Sequence, residues 1–182
     1  MKKYLQPNGR FALINGRVIL PDELVTGKAV VIETNKIAGI IDAGTLSDDL
    51  LVIDVGGRYI SPGLIDIHTH GAVGHSFNEH SNEAWTAITR KNVSRGVTSL
   101  LATITTAPIS NMVDCLRFGQ NWMASQHDGT QVIGIHVEGP YFSYGHRGAQ
   151  DPAHLRTPDD GTIDRLLDYH GVIRMMSFAP EL

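Results

Sequence analysis

Residues 59–71 read Y-I-S-P-G-L-I-D-I-H-T-H-G, and the reading of this stretch decides the fold. Ser61, Pro62 and Gly63 signal a turn, residues 64–67 form a short, mostly apolar run, and Gly71 stops it directly after a second histidine. The run predicts a buried strand. Side chains alternate along a strand, so His68 and His70 project from one face together with Leu64 and Asp66. Two imidazoles on one wall can share a metal ion. Among nine histidines in 182 residues a lone H-x-H is weak evidence. Its place at the carboxyl end of a strand strengthens it, because α/β barrels put their chemistry there.

Downstream of this stretch, strands and helices alternate. Ser81 or Asn82 caps a helix that runs through Trp85, Ile88 and Val93 to the region of Arg95, with Gly96 as its stop. Residues 97–105 are rich in β-branched side chains and predict a second strand. Ser110 caps a second helix that carries Cys115, Leu116 and Trp122. Residues 131–138, 158–169 and 172–179 then read as strand, helix and strand. This succession is the pattern of parallel βαβ units, and the fold class is α/β. Polar residues collect at the strand ends: Thr103, Thr105 and Thr106 on the second, His136 and Glu138 on the third, and Glu181 beyond the fourth.

Residues 11–55 differ. Short apolar or β-branched runs are separated by Asn15-Gly16, Thr26-Gly27, Thr34-Asn35 and Gly56-Gly57, which predicts a small all-β module with no catalytic character. We place the module at residues 1–58 and the βα units at 59–182. A closed eight-stranded barrel takes about 250 residues, whereas four strands are visible here. The chain therefore reads as a β module followed by half a barrel, either a fragment of a longer protein or one chain of something completed elsewhere. An open four-stranded sheet would expose unpaired edges.

Composition excludes several classes. With 42% hydrophobic and 19% charged residues the chain can bury a real core. A formal net charge of -4, without a long basic run, argues against nucleic acid. Met1, Lys2 and Lys3 make a basic start, but Gln6, Pro7, Asn8 and Gly9 stand where the apolar part of a signal peptide belongs. No stretch approaches the length of a membrane span. The single cysteine, Cys115, excludes an internal disulfide, suits a reducing compartment and is read as a small buried hydrophobe. Cytoplasm is the default location.

A second chemical stretch, His136-Val137-Glu138-Gly139-Pro140, follows an apolar strand. Glu138 is either a metal ligand or a salt-bridged structural carboxylate, since a carboxylate at the mouth of an apolar strand needs a cation or donors. Facing the histidine pair, it would complete an N,N,O site suited to zinc or iron. Residues 145–152 form a loop whose small residues let a ligand approach the backbone, or else an ordinary surface loop. His75, His80, His127, His154 and His170 lack a partner pattern and are read as structural or exposed.

P-G-L-I-D-I-H-T-H-G at 62–71 resembles the first-strand motif of the amidohydrolase superfamily. H-V-E-G-P-Y at 136–141, G-A-Q-D-P at 148–152 and S-F-A-P-E at 177–181 are similar to one branch of it, the N-acetylglucosamine-6-phosphate deacetylases. The resemblance implies a composite β-sandwich-like domain followed by a metal-dependent (β/α)8 barrel, of which this chain would be the first half. It implies hydrolysis of the N-acetyl group of N-acetylglucosamine 6-phosphate, a phosphorylated amino sugar, by a homodimer when full length. It also implies that Glu138 is a metal ligand, that His68 and His70 bind a second ion in some members, and that Ala149 contacts substrate through its backbone. One or two divalent ions, zinc or iron, are expected. Two further histidine ligands and an acid/base aspartate are expected beyond Leu182. Another amidohydrolase activity, on N-acetylgalactosamine 6-phosphate, a cyclic amide or an acyl amino acid, remains open. So does a non-catalytic metal-binding fragment.

Overall fold

Short apolar runs broken by turn residues fill most of residues 9–60, and a chain so patterned forms short strands that pack their apolar sides together. The computed structural model describes residues 9–34, 36–125 and 128–182; the readings that involve residues 1–8, Asn35 and His127 lie outside them. The chain divides into two compact units, Met1–Pro62 and Gly63–Leu182.

The first unit contains β1 (Arg10–Ile14), β2 (Arg17–Ile19), β3 (Leu24–Val25), β4 (Lys28–Glu33), β5 (Lys36–Asp42), β6 (Leu51–Asp54) and β7 (Tyr59–Ile60). They form two sheets, ordered β5-β4-β1-β6 and β3-β2-β7. Asn15 and Gly16 connect strands of different sheets, so this turn is a corner rather than a hairpin. β4 is buried on both faces. Val30 packs with Val18 and Ile60 of the other sheet, while Ala29 and Val31 face Ala12 and the segment carrying Leu46 and Leu50. Tyr59 and Ile60 pair with β2, which puts the division after Pro62 rather than at residue 58.

The second unit contains β8 (Leu64–Thr69), a small ribbon of β9 (Gly71–Ala72) and β10 (His75–Ser76), α1 (Asn82–Val93), β11 (Val97–Thr105), α2 (Ile109–Met123), β12 (Gln131–Glu138), α3 (Thr162–Leu167) and β13 (Ile173–Ser177). β8, β11, β12 and β13 form one parallel sheet in sequence order. Each connection advances by one strand, and a parallel sheet so built places all four carboxyl ends on one side. Ser81 caps α1 by accepting the Ala84 N–H at 3.2 Å. Gly96 follows with φ +88°. α1 and α2 pack on the sheet through Trp85, Ile88, Met112 and Leu116, all with no exposed surface.

Three local expectations are corrected. The strand carrying the histidines is not buried: Leu64, Ile65 and Ile67 are 60%, 65% and 55% exposed. β8 lies at the edge of its sheet and pairs only with β11, so nothing among the described residues covers these aliphatics. Ser110 does not cap α2. The helix begins right after Pro108, whose extended backbone offers its carbonyl to the Met112 N–H at 3.1 Å. The third helix is short because Gly161, at φ +74°, separates a 3-10 turn at Pro158–Asp160 from α3, and Asp160 accepts the Thr162 N–H at 2.8 Å.

Trp85 is the largest wholly buried side chain, edge-on to Phe77 at 4.9 Å and donating its indole N–H to the Phe77 carbonyl. Trp85→Ala is expected to lower unfolding free energy by about 3–5 kcal/mol, read by urea titration. Cys115 is also fully buried, and desolvation, then Asp114, pushes its thiol up to about 12. Only the thiolate is nucleophilic. Iodoacetamide at pH 8 should therefore leave the native chain unmodified and label it once unfolded in urea; rapid native labelling would contradict the packing.

Candidate metal centre

β11 lies between β8 and β12, with Ala102 opposite Thr69 on one side and Thr105 opposite Glu138 on the other. His68 is the penultimate residue of β8, His70 follows just outside it, and Glu138 is the last residue of β12. The three side chains meet over the end of β11. His68 Nε2 is 3.3 Å from Glu138 Oε1 and His70 Nε2 is 3.5 Å from Oε2. All three ligand atoms fall within 4.8 Å of one another. Metal–donor bonds of about 2.1 Å opened to a tetrahedral angle separate neighbouring donors by about 3.4 Å. The two observed separations are close to that value, each to a different Glu138 oxygen, and two imidazoles with one carboxylate form a donor set for a borderline divalent cation. The residues fit a metal ion.

His70 and Glu138 are each held from the backbone around them. The Phe77 N–H donates to the His70 carbonyl at 2.9 Å, and Phe77 is wholly buried against Trp85. Ser76 and Glu79 form a capping box around that turn, with Glu79 accepting from the Ser76 N–H and meeting His75 at 3.0 Å. A Cβ on Gly71 would overlap the His75 carbonyl. On the other side, Gly139 turns the chain directly after Glu138 at φ +86°, where a Cβ would overlap Thr106 Oγ1.

Gln150 bridges the two walls. Its Oε1 accepts the Thr106 N–H at 3.0 Å, which orients the amide so that Nε2 donates to Glu138 Oε2 at 3.0 Å. A cavity of about 550 Å³ opens beside the triad, lined by His70, Thr106, Glu138, Arg147, Ala149 and Gln150. Ala149 thus lines the same cavity as two of the would-be ligands. Arg147 stacks on Tyr144 at 4.3 Å and donates Nη1 to its carbonyl, while its Nε is buried and meets no acceptor among the described residues.

His136 does not reach the triad's opening. It is completely buried, and desolvation, followed by the nearby His68, holds its pKa below the ordinary imidazole value. Glu181 also lies apart: its carboxyl is lowered by backbone N–H and by the Ser143 hydroxyl. In the sequence Gln150 and Ser177 stand out only within motifs, Thr106 only as one of the polar strand ends and Arg147 only within the 145–152 loop. The period-two rule pairs residues along one strand, whereas these contacts run between strands and loops.

No helix among the described residues is long and apolar enough to cross a membrane. A profile described as the amidohydrolase family matches residues 59–181. The N-acetylglucosamine-6-phosphate deacetylase of Haemophilus influenzae is 29% identical over 173 residues, covering 94% of this chain and 45% of that protein. Its namesake from Bos taurus is 35% identical over 135 residues, covering 71% of this chain and 33% of that protein. The crystal structure of the Pasteurella multocida protein of the same name superposes with a TM-score of 0.86 at 27% identity, over 93% of this chain and 44% of that one. The chain spans less than half the length of each of these relatives.

The capping box that steadies His70 has a pH signature. Glu79 has its pKa lowered, first by the hydrogen bond with His75 and then by the Ser76 N–H. A lowered carboxyl pKa contributes stability above the unfolded value, about 4.3, and loses it as pH falls through the folded one. The gap in melting temperature between wild type and Glu79→Ala should be widest near neutrality and close in acid; a gap independent of pH would contradict this reading.

Proposed function

Because the chain belongs to the amidohydrolase family, we propose that it contributes the metal-binding half of a cytoplasmic, homodimeric enzyme that deacetylates N-acetylglucosamine 6-phosphate, giving acetate and glucosamine 6-phosphate. The observation that carries the reading is the meeting of His68, His70 and Glu138 beside the cavity lined by Ala149. The names of the relatives support the substrate class.

In this reading His68, His70 and Glu138 hold one or two divalent ions, zinc or iron. A bound divalent ion supplies Lewis acidity toward an amide carbonyl and toward the attacking water. The chain's own groups orient and enclose. Gln150 keeps one Glu138 oxygen turned to the site, the Ala149 backbone borders the bound sugar, and the Arg147 guanidinium places a cation in a cavity meant for an anionic substrate. Hydrolysis moves one proton from water to the leaving amine. We assign that transfer to an aspartate in the part of the relatives' length that this chain does not span.

The same reading takes residues 63–182 as the first βα units of a (β/α)8 barrel and residues 1–62 as the composite β-sandwich-like module. Sequential parallel strand order supports it, as do the exposed Leu64, Ile65 and Ile67 on β8, where a further strand would pack.

Acetate release by the whole protein, after chelation and zinc restoration, should be fastest with N-acetylglucosamine 6-phosphate. N-Acetylgalactosamine 6-phosphate, a cyclic amide and an acyl amino acid serve as competitors. Glu138→Gln should lower kcat at least about a hundredfold, since the metal's contribution depends on this ligand. Turnover unaffected by chelation and by Glu138→Gln would refute the proposal.

A further inference from the structure

Beneath the three would-be ligands, a line of hydrogen bonds crosses all four parallel strands. It begins at the peptide between the two histidines. The Thr69 N–H of β8 donates to Thr103 Oγ1 of β11 at 3.1 Å. Thr103 Oγ1 lies 3.2 Å from His136 Nδ1 of β12, and His136 Nε2 lies 2.9 Å from Ser177 Oγ of β13. Thr103 and His136 have no exposed surface. The His136 ring also meets the His68 ring edge to face, with centroids 4.8 Å apart and planes at 89°.

The proton positions follow from counting donors. Thr103 Oγ1 already accepts from Thr69, and its own proton needs an acceptor, because a buried hydroxyl left unsatisfied is costly. Among the described residues, His136 Nδ1 is the acceptor that this hydroxyl meets. Nδ1 is therefore bare, Nε2 carries the proton, and Nε2–H donates to Ser177. Both ring nitrogens are used, so His136 is a fixed wall and not a spare ligand.

We infer that His136 is a positioning residue for the metal centre: clamped between Thr103 and Ser177, its ring sets the orientation of His68, while Thr103 fixes the peptide that joins His68 to His70. The inference rests on the metal-site reading above. An exposed imidazole on an edge strand has few other constraints, since both would-be histidine ligands have side chains 47% exposed. Without the wall, His68 samples rotamers that do not face Glu138, and a metal must select the productive one.

The test uses the 182-residue chain, zinc with a competing chromophoric chelator, and cobalt absorption as a reporter of ligand geometry. If the wild-type chain binds no zinc, the metal-site reading fails, and this inference with it. If it binds, His136→Gln and Thr103→Val should weaken zinc about ten- to a hundredfold and change the cobalt spectrum, while Thr103→Ser, which keeps the hydroxyl, stays within about twofold of wild type. Zinc affinity within about twofold of wild type in folded His136→Gln and Thr103→Val would show that His136 only fills space, and would overturn the inference. Should either variant fail to fold, nitrogen-15 spectra of the wild-type imidazoles decide: a proton on His136 Nε2 supports the clamp and a proton on Nδ1 overturns it.

Discussion

The register of β11 against its two neighbours is the constraint on which the site depends. His68 and His70 belong to one strand and Glu138 to another, and β11 stands between them. Adjacent strands lie about 4.8 Å apart, so the two backbones that carry the ligands are separated by about twice that distance. Imidazole and carboxylate side chains are long enough to meet across such a gap only if the middle strand keeps its own side chains short at that level. β11 does so with Thr103 and Thr105. A register slip of one residue would turn Glu138 to the opposite face and leave the histidines unpaired.

Around that register, glycine and buried aromatics stand at the turns that follow His70 and Glu138. Gly71 and Gly139 occupy positions where a Cβ would collide with a carbonyl or a hydroxyl, so the backbone can leave the strand at once. Phe77 then returns to bond the His70 carbonyl while its ring is trapped by Trp85. The hydrophobic core under α1 and the ligand loop are thus one structure, and loosening the first loosens the second.

Much of this arrangement was legible in the sequence. β-branched density marked β11 and β12 with the bounds the structure shows, Ser81 and Gly96 bracketed α1, and the H-x-H and H-x-E spacings singled out the three residues that meet. The misses have common physical causes. Burial of β8 was inferred from its aliphatics, but an edge position is a property of the sheet and not of the strand. A hydroxyl that can accept an N–H favours Ser110 as a cap, whereas Pro108 starts the helix through its fixed φ and its carbonyl. The link from Thr103 through His136 to Ser177 depends on pairings between strands far apart in sequence, and the register shifts at Leu100/Leu101 and Ile135/His136 break the simple count that would have exposed it.

The distribution of exposure explains why the buried residues matter to the exposed ones. The two histidines of the candidate site stand half-exposed at the edge of the sheet. Openness removes the packing that would otherwise restrict a side chain to one rotamer. On the inference above, orientation comes from the layer beneath, where Thr103 and His136 are buried and bonded to each other. A neutral imidazole suits that layer better than an aliphatic side chain, which would leave Thr103 without an acceptor, and better than a cation, which would repel a metal ion above it. On that inference, the orientation of the candidate site rests on a residue that does not line its cavity.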